Sequence, residues 1–294
     1  MPPPGPNASK GAVGGPGARH HWGMTNFRSH GRGALPAATS ASLAGMPLPN
    51  GILIAPDPEF AAHRTGDPVA WATQDVQGEI AATWQKLATA FATTGLWPFA
   101  AADLDGTGRP WTTGESLARQ PVAVADTASL LAAMWARAVP DAEEDDPDVL
   151  DELEPFDRAF PGLAPGTTGI DDETALVTAL GRSPTRLGLV AVERPADALA
   201  ALGWLGAVNL HDDPGVLSAV LRSWEDRFGA VLVGVGFDTV TLAVQRPPTT
   251  LAHAERVAAE QFALCPDLVQ QGAGSIAALA EALVGSSTWS LWWD

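Results

Sequence analysis

A chain of 294 residues with 46% hydrophobic and 17% charged residues can bury a sizeable core, which excludes a wholly disordered protein. Its formal net charge of -17 repels phosphate backbones and argues against nucleic-acid binding. No stretch approaches the roughly 18 to 20 continuous apolar residues of a membrane span, and the N-terminus lacks the apolar segment of a signal peptide. We therefore expect a cytoplasmic protein that does not contact a membrane.

The first 45 residues are rich in Gly, Pro, Ser and Ala and show no apolar periodicity. Such a segment buries too little apolar surface to offset its ordering entropy, so residues 1–45 are expected to form a disordered tail. A short strand is predicted over 51–54 and a helix over 75–94. The helix prediction depends on an apolar stripe at helical period, formed by Ile80, Trp84, Leu87 and Phe91, with Asp75 as N-cap and Gly95 after the end.

The sequence Leu96-Trp97-Pro98-Phe99 predicts a strand, and Pro98 favours a sheet edge because proline cannot donate a ladder hydrogen bond. A helix is predicted over 126–139, with Asp126 as its N-cap. These elements define an N-terminal α+β region over residues 46–140. Residues 141–157 contain ten Asp or Glu and no base, so we expect a self-repelling, exposed linker over 141–170.

Residues 171–294 are predicted to form a C-terminal α+β domain. The hydrophobic patterns predict strands over 187–192, 207–210, 231–237, 240–245 and 289–294, and helices over 195–203, 214–228, 250–264 and 275–284. The two arms 231–237 and 240–245 alternate at period two, which indicates an antiparallel hairpin. The predicted fold class is α+β: a mixed, largely antiparallel sheet with helices packed on it, behind the disordered N-terminal tail.

Five short segments then occur in a fixed order: RPADAL at 194–199, LRSWEDRFG at 221–229, VGVGFD at 233–238, FALCPD at 262–267 and WWD at 292–294. Together they resemble the DUF4253 family, a bacterial domain of unknown function, over roughly residues 187–294. The chain departs from the expected pattern at Gln270, where relatives are expected to carry an aromatic residue. The resemblance implies a fold but no reaction, cofactor or partner.

No segment of the sequence predicts a metal or cofactor site. Cys265 is the only cysteine, so a Cys-rich zinc site is excluded. Adjacent ligands such as His211-Asp212-Asp213 rarely converge on one ion, and Gly114 stands where a calcium loop starting at Asp103 needs a bidentate Glu. The glycines of Gly234-Val235-Gly236 lead into a second strand rather than the helix N-terminus that a phosphate site requires. We expect no cofactor.

The helix over 214–228 carries several candidate functional side chains. Trp224 lies on its apolar stripe, whereas Glu225 and Arg227 are expected to face solvent, and Arg222 is expected to pair with Asp226 at i, i+4 spacing.

Cys265 and the terminal tryptophans each allow two interpretations. Cys265 ends a helix, where the dipole raises a thiol pKa, so a buried structural thiol is favoured over a nucleophile with His211 as its base. Trp289, Trp292 and Trp293 place three indoles within five residues. Core packing is the favoured interpretation, and a binding anchor is the alternative. The predicted functional surface comprises Trp224, Glu225, Arg227, Asp238, Cys265, Asp267, Trp292 and Trp293.

The leading functional hypothesis is a non-catalytic, acidic interaction module that binds a basic protein, as an immunity protein that neutralises a basic toxin would. It depends on the net charge, the acidic run and the lack of a recognisable catalytic motif. The alternative is an enzyme whose site is assembled from dispersed residues, namely His211, Glu225, Arg227, Asp238, Cys265 and Asp267. A structural component without a ligand is the third possibility.

Overall fold

The computed structural model describes residues 27–39, 41–60, 66–139, 151–172, 174–181 and 183–294. Its strands are β1 (Ser42–Leu43), β2 (Met46–Pro47), β3 (Gly51–Ile54), β4 (Ala70–Thr73), β5 (Leu96–Ala101), β6 (Arg186–Ala191), β7 (Ala230–Val235), β8 (Thr239–Val244) and β9 (Thr288–Trp292). Its helices include α1 (Ala81–Thr94), α2 (Thr127–Ala138), α3 (Thr174–Leu180), α4 (Ala198–Leu202), α5 (Pro214–Phe228), α6 (Leu251–Leu264) and α7 (Ile276–Leu283), with a π-helical turn over Leu268–Ala273.

Seven strands form one sheet in the order β3-β4-β6-β5-β7-β8-β9, and β1 and β2 form a separate small hairpin. Every neighbouring pair in the large sheet is antiparallel except β5 and β7, which run parallel. Helices pack on this mixed sheet, which confirms the predicted α+β class. Within the described residues, no helix combines the length and apolar character needed to cross a bilayer.

The prediction that Pro98 marks an edge strand is wrong, because β5 lies in the middle of the sheet between β6 and β7. Proline is tolerated there because the pairing of β5 with β7 begins only at Ala100. In the part of β5 that is not paired with β7, indole N–H groups donate to backbone carbonyls. The Trp84 indole donates to the Pro98 carbonyl at 2.9 Å, and the Trp97 indole donates to the Leu232 carbonyl of β7 at 2.8 Å.

Ordered structure begins earlier than predicted, because residues 27–39 and 41–45 of the predicted tail are part of the folded chain. Phe27 is 5% exposed and packs edge-on against Trp97, with ring centroids 5.0 Å apart. The Ser29 N–H donates to the Glu193 carbonyl at 3.0 Å. A single apolar residue in a Gly-rich stretch carries no periodic signal, so this long-range contact is invisible in the sequence. The rest of the predicted tail, residues 1–26 and 40, lies outside the described residues.

Other boundaries differ for local reasons. Helix α1 begins at Ala81 instead of residue 75, because the backbone carbonyl of Asp75 accepts bonds from the Thr73 hydroxyl and the Gln77 amide. The strand predicted over 207–210 is a series of turns, in which the Ala207 carbonyl accepts from the N–H groups of residues 210 and 211 at 3.0 and 2.7 Å. The predicted caps of α2 and α5 are confirmed, since Asp126 and Asp213 accept from backbone N–H groups.

The division of the chain at residues 141–170 stays a prediction, because residues 140–150 lie outside the described residues. The sheet itself combines strands from both sides of that division. Strand β5 from the N-terminal side lies between β6 and β7 from the C-terminal side.

Candidate functional site

Two of the predicted surface residues, Trp224 and Arg227, are instead partners of a buried carboxylate. Glu260 on α6 is 0% exposed. Its oxygens accept two bonds from the Arg227 guanidinium at 2.7 and 2.5 Å, one from the Trp224 indole at 2.7 Å and one from the Ala164 N–H at 2.6 Å. The prediction that Arg227 faces solvent is therefore wrong, because its guanidinium pairs with the buried Glu260 carboxylate of α6. This arrangement fastens residue 164 and α6 to α5.

Glu225 is also buried, contrary to the prediction that it faces solvent. It is 5% exposed, and it pairs with Arg28 from the N-terminal segment and with Arg194, while its Oε2 accepts from the Ala196 N–H at 3.1 Å. Burial raises the pKa of Glu225, against the opposing effects of Arg194 and Arg28. Since charged and backbone donors surround the carboxylate, its evident role is to hold the N-terminal segment and residues 194–196 against α5.

The predicted pair between Arg222 and Asp226 does not form. The Arg222 guanidinium donates instead to Asp197 at 2.6 Å, and Asp226 accepts from Arg194 at 2.8 Å. Ion pairs between elements thus replace the i, i+4 pair, which is worth only tenths of a kcal/mol on a helix surface.

Cys265 and His211 do not form a catalytic pair. Cys265 is fully buried, and its thiol donates to the Trp292 carbonyl at 2.8 Å. Burial raises the pKa of the thiol to about 12, so the nucleophilic thiolate is suppressed at neutral pH. His211 Nε2 instead bonds the Leu264 carbonyl at 2.7 Å, and burial lowers its pKa. These bonds fit the structural interpretation of the thiol.

The terminal tryptophans divide between core and surface. Trp289 and Trp293 are buried, whereas Trp292 on the opposite face of β9 is half-buried. Asp267 fastens the chain beyond β9, because its Oδ2 accepts the Asp294 N–H at 3.1 Å and its Oδ1 accepts the Gln271 amide at 2.9 Å. Asp267 therefore positions Asp294 rather than standing open to a ligand.

A cleft of about 510 Å³ lies at one end of the sheet. Five segments meet there: the residues after β3 that include Phe60, the loop between β5 and α2 that contains residues 110 and 115, the turns at 204–209, the β7–β8 turn and the residues after β9. Side chains and backbone that line it come from Phe60, Pro110, Glu115, Trp204, Leu205, Gly206, Val208, Asn209, Phe237, Asp238, Trp293 and Asp294. We call this recess the terminal cleft.

Hydrogen bonds hold three of these segments together. The Trp204 indole donates to the Gly236 carbonyl at 2.9 Å, and the Trp293 N–H donates to the Asp238 carbonyl at 3.0 Å. The two indoles pack edge to face, with centroids 5.3 Å apart. Gly206 is required by close approach, since a Cβ there would lie 2.3 Å from the Phe237 carbonyl oxygen. The buried Trp204 and Trp293 indoles therefore connect the segments that form the terminal cleft.

The polar groups of the terminal cleft are mainly carboxylates. Glu115 is bound by Arg109 through two bonds of 2.6 and 2.7 Å, and this pairing lowers the pKa of Glu115. The Arg109 guanidinium also lies over the Phe237 ring, 4.7 Å from its centroid. Asp238 is half-buried and Asp294 is exposed. Within the described part of the chain, neither side-chain carboxylate has an ion-pair partner within 4.0 Å.

The chemistry available in the terminal cleft is limited to these groups. Among the described residues, none of the side chains that line it is a thiol, hydroxyl or imidazole. The described residues also contain no group of three or more His, Cys, Asp or Glu placed to hold a metal ion. Aromatic walls and carboxylates suit the binding of a cation.

The sequence identified only part of this cleft. Of the eight predicted surface residues, Asp238 and Trp293 line it, and Asp267 supports it from behind. Glu115 and Trp204 were missed, because only the fold brings residues so distant in the chain to one place. A signal was present in the sequence: Trp204 directly follows the predicted helix end at Gly203, so its large aromatic side chain belongs to no apolar stripe of a predicted element.

The comparisons with known proteins match one segment of the chain to a domain family and give no function. No curated protein and no solved structure matches the chain. The family model covers β6 to β9 and most of the terminal cleft, but neither β5 nor Glu115. Residues 186–294 match DUF4253, a domain of unknown function.

Proposed function

We propose that this chain is a non-catalytic binding module whose terminal cleft receives a positively charged side chain of a basic protein partner. The observation that carries the proposal is the composition of the cleft. Asp238 and Asp294 line a recess of about 510 Å³ together with the rings of Phe60 and Phe237, and the buried Trp204 and Trp293 indoles complete its lining. A recess of this size accommodates a long side chain of a partner.

Both kinds of wall favour a cation. The face of an aromatic ring carries partial negative charge, and its attraction for a cation contributes about 0.5–1 kcal/mol at an exposed site. Carboxylates add charge-assisted hydrogen bonds, which are roughly twice as strong as neutral ones. The Arg109 guanidinium on Phe237 and Glu115 is a cation bound by this chain's own cleft residues.

The rim of the cleft favours a protein over a free small molecule. Phe60 is 38% exposed, and Val208 is 51% exposed. These exposed side chains add apolar surface around the recess that a macromolecular partner can cover. The net charge of -17 would also steer a basic partner during encounter, and this steering weakens as salt screens the charges.

Catalysis receives less support from the candidate residues. Cys265 is buried with a raised pKa, and Glu225 and Arg227 are held in ion pairs within the fold. Asp238 is the one member of the enzyme hypothesis that lines the terminal cleft.

The test compares two charge-matched double variants of the full chain. Asp238→Asn with Asp294→Asn removes the two carboxylates of the cleft, whereas Glu79→Gln with Glu281→Gln removes two exposed carboxylates outside it. Each protein is used as bait in host lysate at low and moderate salt, and a recovered basic protein is purified and titrated by calorimetry. We expect the cleft variant to lose about tenfold or more in affinity, and the control to lose far less.

Equal losses in the two double variants would show that net charge alone drives binding, and would overturn the assignment to the cleft. Absence of any stoichiometric basic partner at both salt concentrations would contradict the interaction module itself.

A further inference from the structure

We infer that the terminal cleft prefers a guanidinium over an ammonium group, so that its occupant is an arginine rather than a lysine side chain. This inference rests on the proposed function and specifies the ligand of the same site.

Two residues that line the cleft already bind a guanidinium of this chain. Arg109 places its Nε and Nη2 on the two oxygens of Glu115, at 2.6 and 2.7 Å. Its central carbon simultaneously lies 4.7 Å from the centroid of Phe237. A bidentate carboxylate and a stacked ring are the two contacts that match a planar guanidinium and that an ammonium group cannot make together.

Aromatic rings and carboxylates also occur together elsewhere in the cleft. Asp238 directly follows Phe237 in the β7–β8 turn, and its backbone carbonyl accepts the Trp293 N–H. The Trp204 and Trp293 indoles are 4% and 2% exposed, so the aromatic surface open to an incoming group is that of Phe60, which is 38% exposed, and of the half-buried Phe237. These rings lie in the same recess as the Asp238 and Asp294 carboxylates.

Desolvation also favours a guanidinium. An ammonium group is a compact, strongly hydrated charge, whereas a guanidinium is more weakly hydrated and stacks on aromatic faces. Exposed phenyl and aliphatic side chains such as Phe60 and Val208 line the cleft and displace water from an entering group. This loss of water penalises the ammonium more than the guanidinium.

The test uses three matched ligands with the full chain: the N-acetyl amides of arginine, lysine and citrulline. Citrulline replaces the guanidinium with a neutral urea of nearly the same shape. Binding is followed by NMR through the indole N–H signals of Trp204 and Trp293, whose donors are bonded to the Gly236 and Leu264 carbonyls. We expect arginine amide to bind about threefold or more tightly than lysine amide, and citrulline amide to bind least.

The outcomes separate the inference from the proposed function. Equal affinity for the arginine and lysine amides would overturn the guanidinium preference and leave a cation-binding cleft. Citrulline amide binding as tightly as arginine amide, or no shift with any ligand, would overturn both.

A pair of variants tests the role of an exposed ring. Phe60→Leu changes a cleft phenylalanine that is 38% exposed, so it should reduce the preference for arginine while weakening lysine binding little. Phe156→Leu changes a phenylalanine that does not line the cleft, so it should leave both affinities as they are. Loss of arginine and lysine binding by the same factor in Phe60→Leu would contradict the role of ring stacking.

Discussion

The carboxylates against α5 and those of the terminal cleft are the same chemical groups in opposite surroundings. Glu260 is fully buried and accepts bonds from Arg227, Trp224 and the Ala164 N–H. Asp238 and Asp294 reach solvent beside aromatic walls. Side-chain type alone therefore does not separate a structural carboxylate from one open to solvent in this chain; the distinction depends on whether the fold supplies donors to that carboxylate.

The largest expected loss of stability comes from removing the charge of the buried Glu260. Glu260→Gln leaves the mostly buried Arg227 without its counter-charge, so the free energy of unfolding should fall by about 3 kcal/mol. Urea unfolding of the full chain would measure this loss. Glu281→Gln, which removes an exposed carboxylate, serves as the control and should change stability by no more than about 0.5 kcal/mol. Similar values for the two variants would mean that the Glu260 pairs do not stabilise the fold.

The N-terminal segment offers a smaller test of the same ion pairs. Arg28→Met removes one of two guanidinium partners of Glu225, but the Arg28 side chain is 38% exposed and Arg194 remains. We expect a loss of about 1 kcal/mol in the free energy of unfolding. The control is Arg32→Met, since Arg32 and Glu193 are 3.8 Å apart and both largely exposed. A larger loss in the control would contradict the importance of the Arg28 contact.

Because the His211 imidazole is half-buried, we expect the stability of the fold to depend modestly on pH. Burial lowers the pKa of His211 below 6.5, so the folded chain holds fewer protons at this site than the unfolded chain does. Stability that is present at neutral pH should therefore decline as the pH falls below 6.5, until the lower folded pKa is passed. Urea unfolding at about pH 7.5 and about pH 5.5 should show a smaller decline in His211→Gln than in the unchanged protein. An equal decline in both proteins would assign the dependence to other groups.

The smallest expected signal is the labelling of Cys265 in the folded state. With the pKa of the thiol raised to about 12 and its sulfur buried, a thiol reagent at neutral pH should leave the native chain unlabelled. The urea-unfolded chain should take up one equivalent. Rapid labelling of the native protein would favour the enzyme hypothesis and place Cys265 among the open groups.

Local sequence signals predicted the elements well where one face of a helix or strand is buried. The hairpin of β7 and β8 and the helix α5 with its cap at Asp213 follow directly from periodicity and capping. The burial of Phe27 and the central place of β5 could not be predicted in this way. Both depend on partners far along the chain, and Pro98 gave a misleading local signal.

The functional surface was predicted by side-chain type, and this criterion does not separate residues that line the cleft from residues held in ion pairs within the fold. Asp238 and Trp293 line the terminal cleft, whereas Glu225 and Arg227 are occupied by ion pairs with distant segments. The partner of Arg227, Glu260, lies on another helix, so no spacing rule within α5 could reveal it.

The central position of β5 has a consequence for how the chain is made. Trp97 and Leu232, whose hydrogen bond links β5 to β7, are separated by 135 positions in the sequence. Contacts of such long range slow folding, because a large loop must close before they form. During translation β5 would therefore emerge before both of its neighbours in the sheet, β6 and β7, although Trp97 and Phe99 are fully buried in the finished fold. We expect nascent or truncated forms that end before β7 to aggregate or to bind chaperones, and the native sheet to form only when most of the chain has been synthesised.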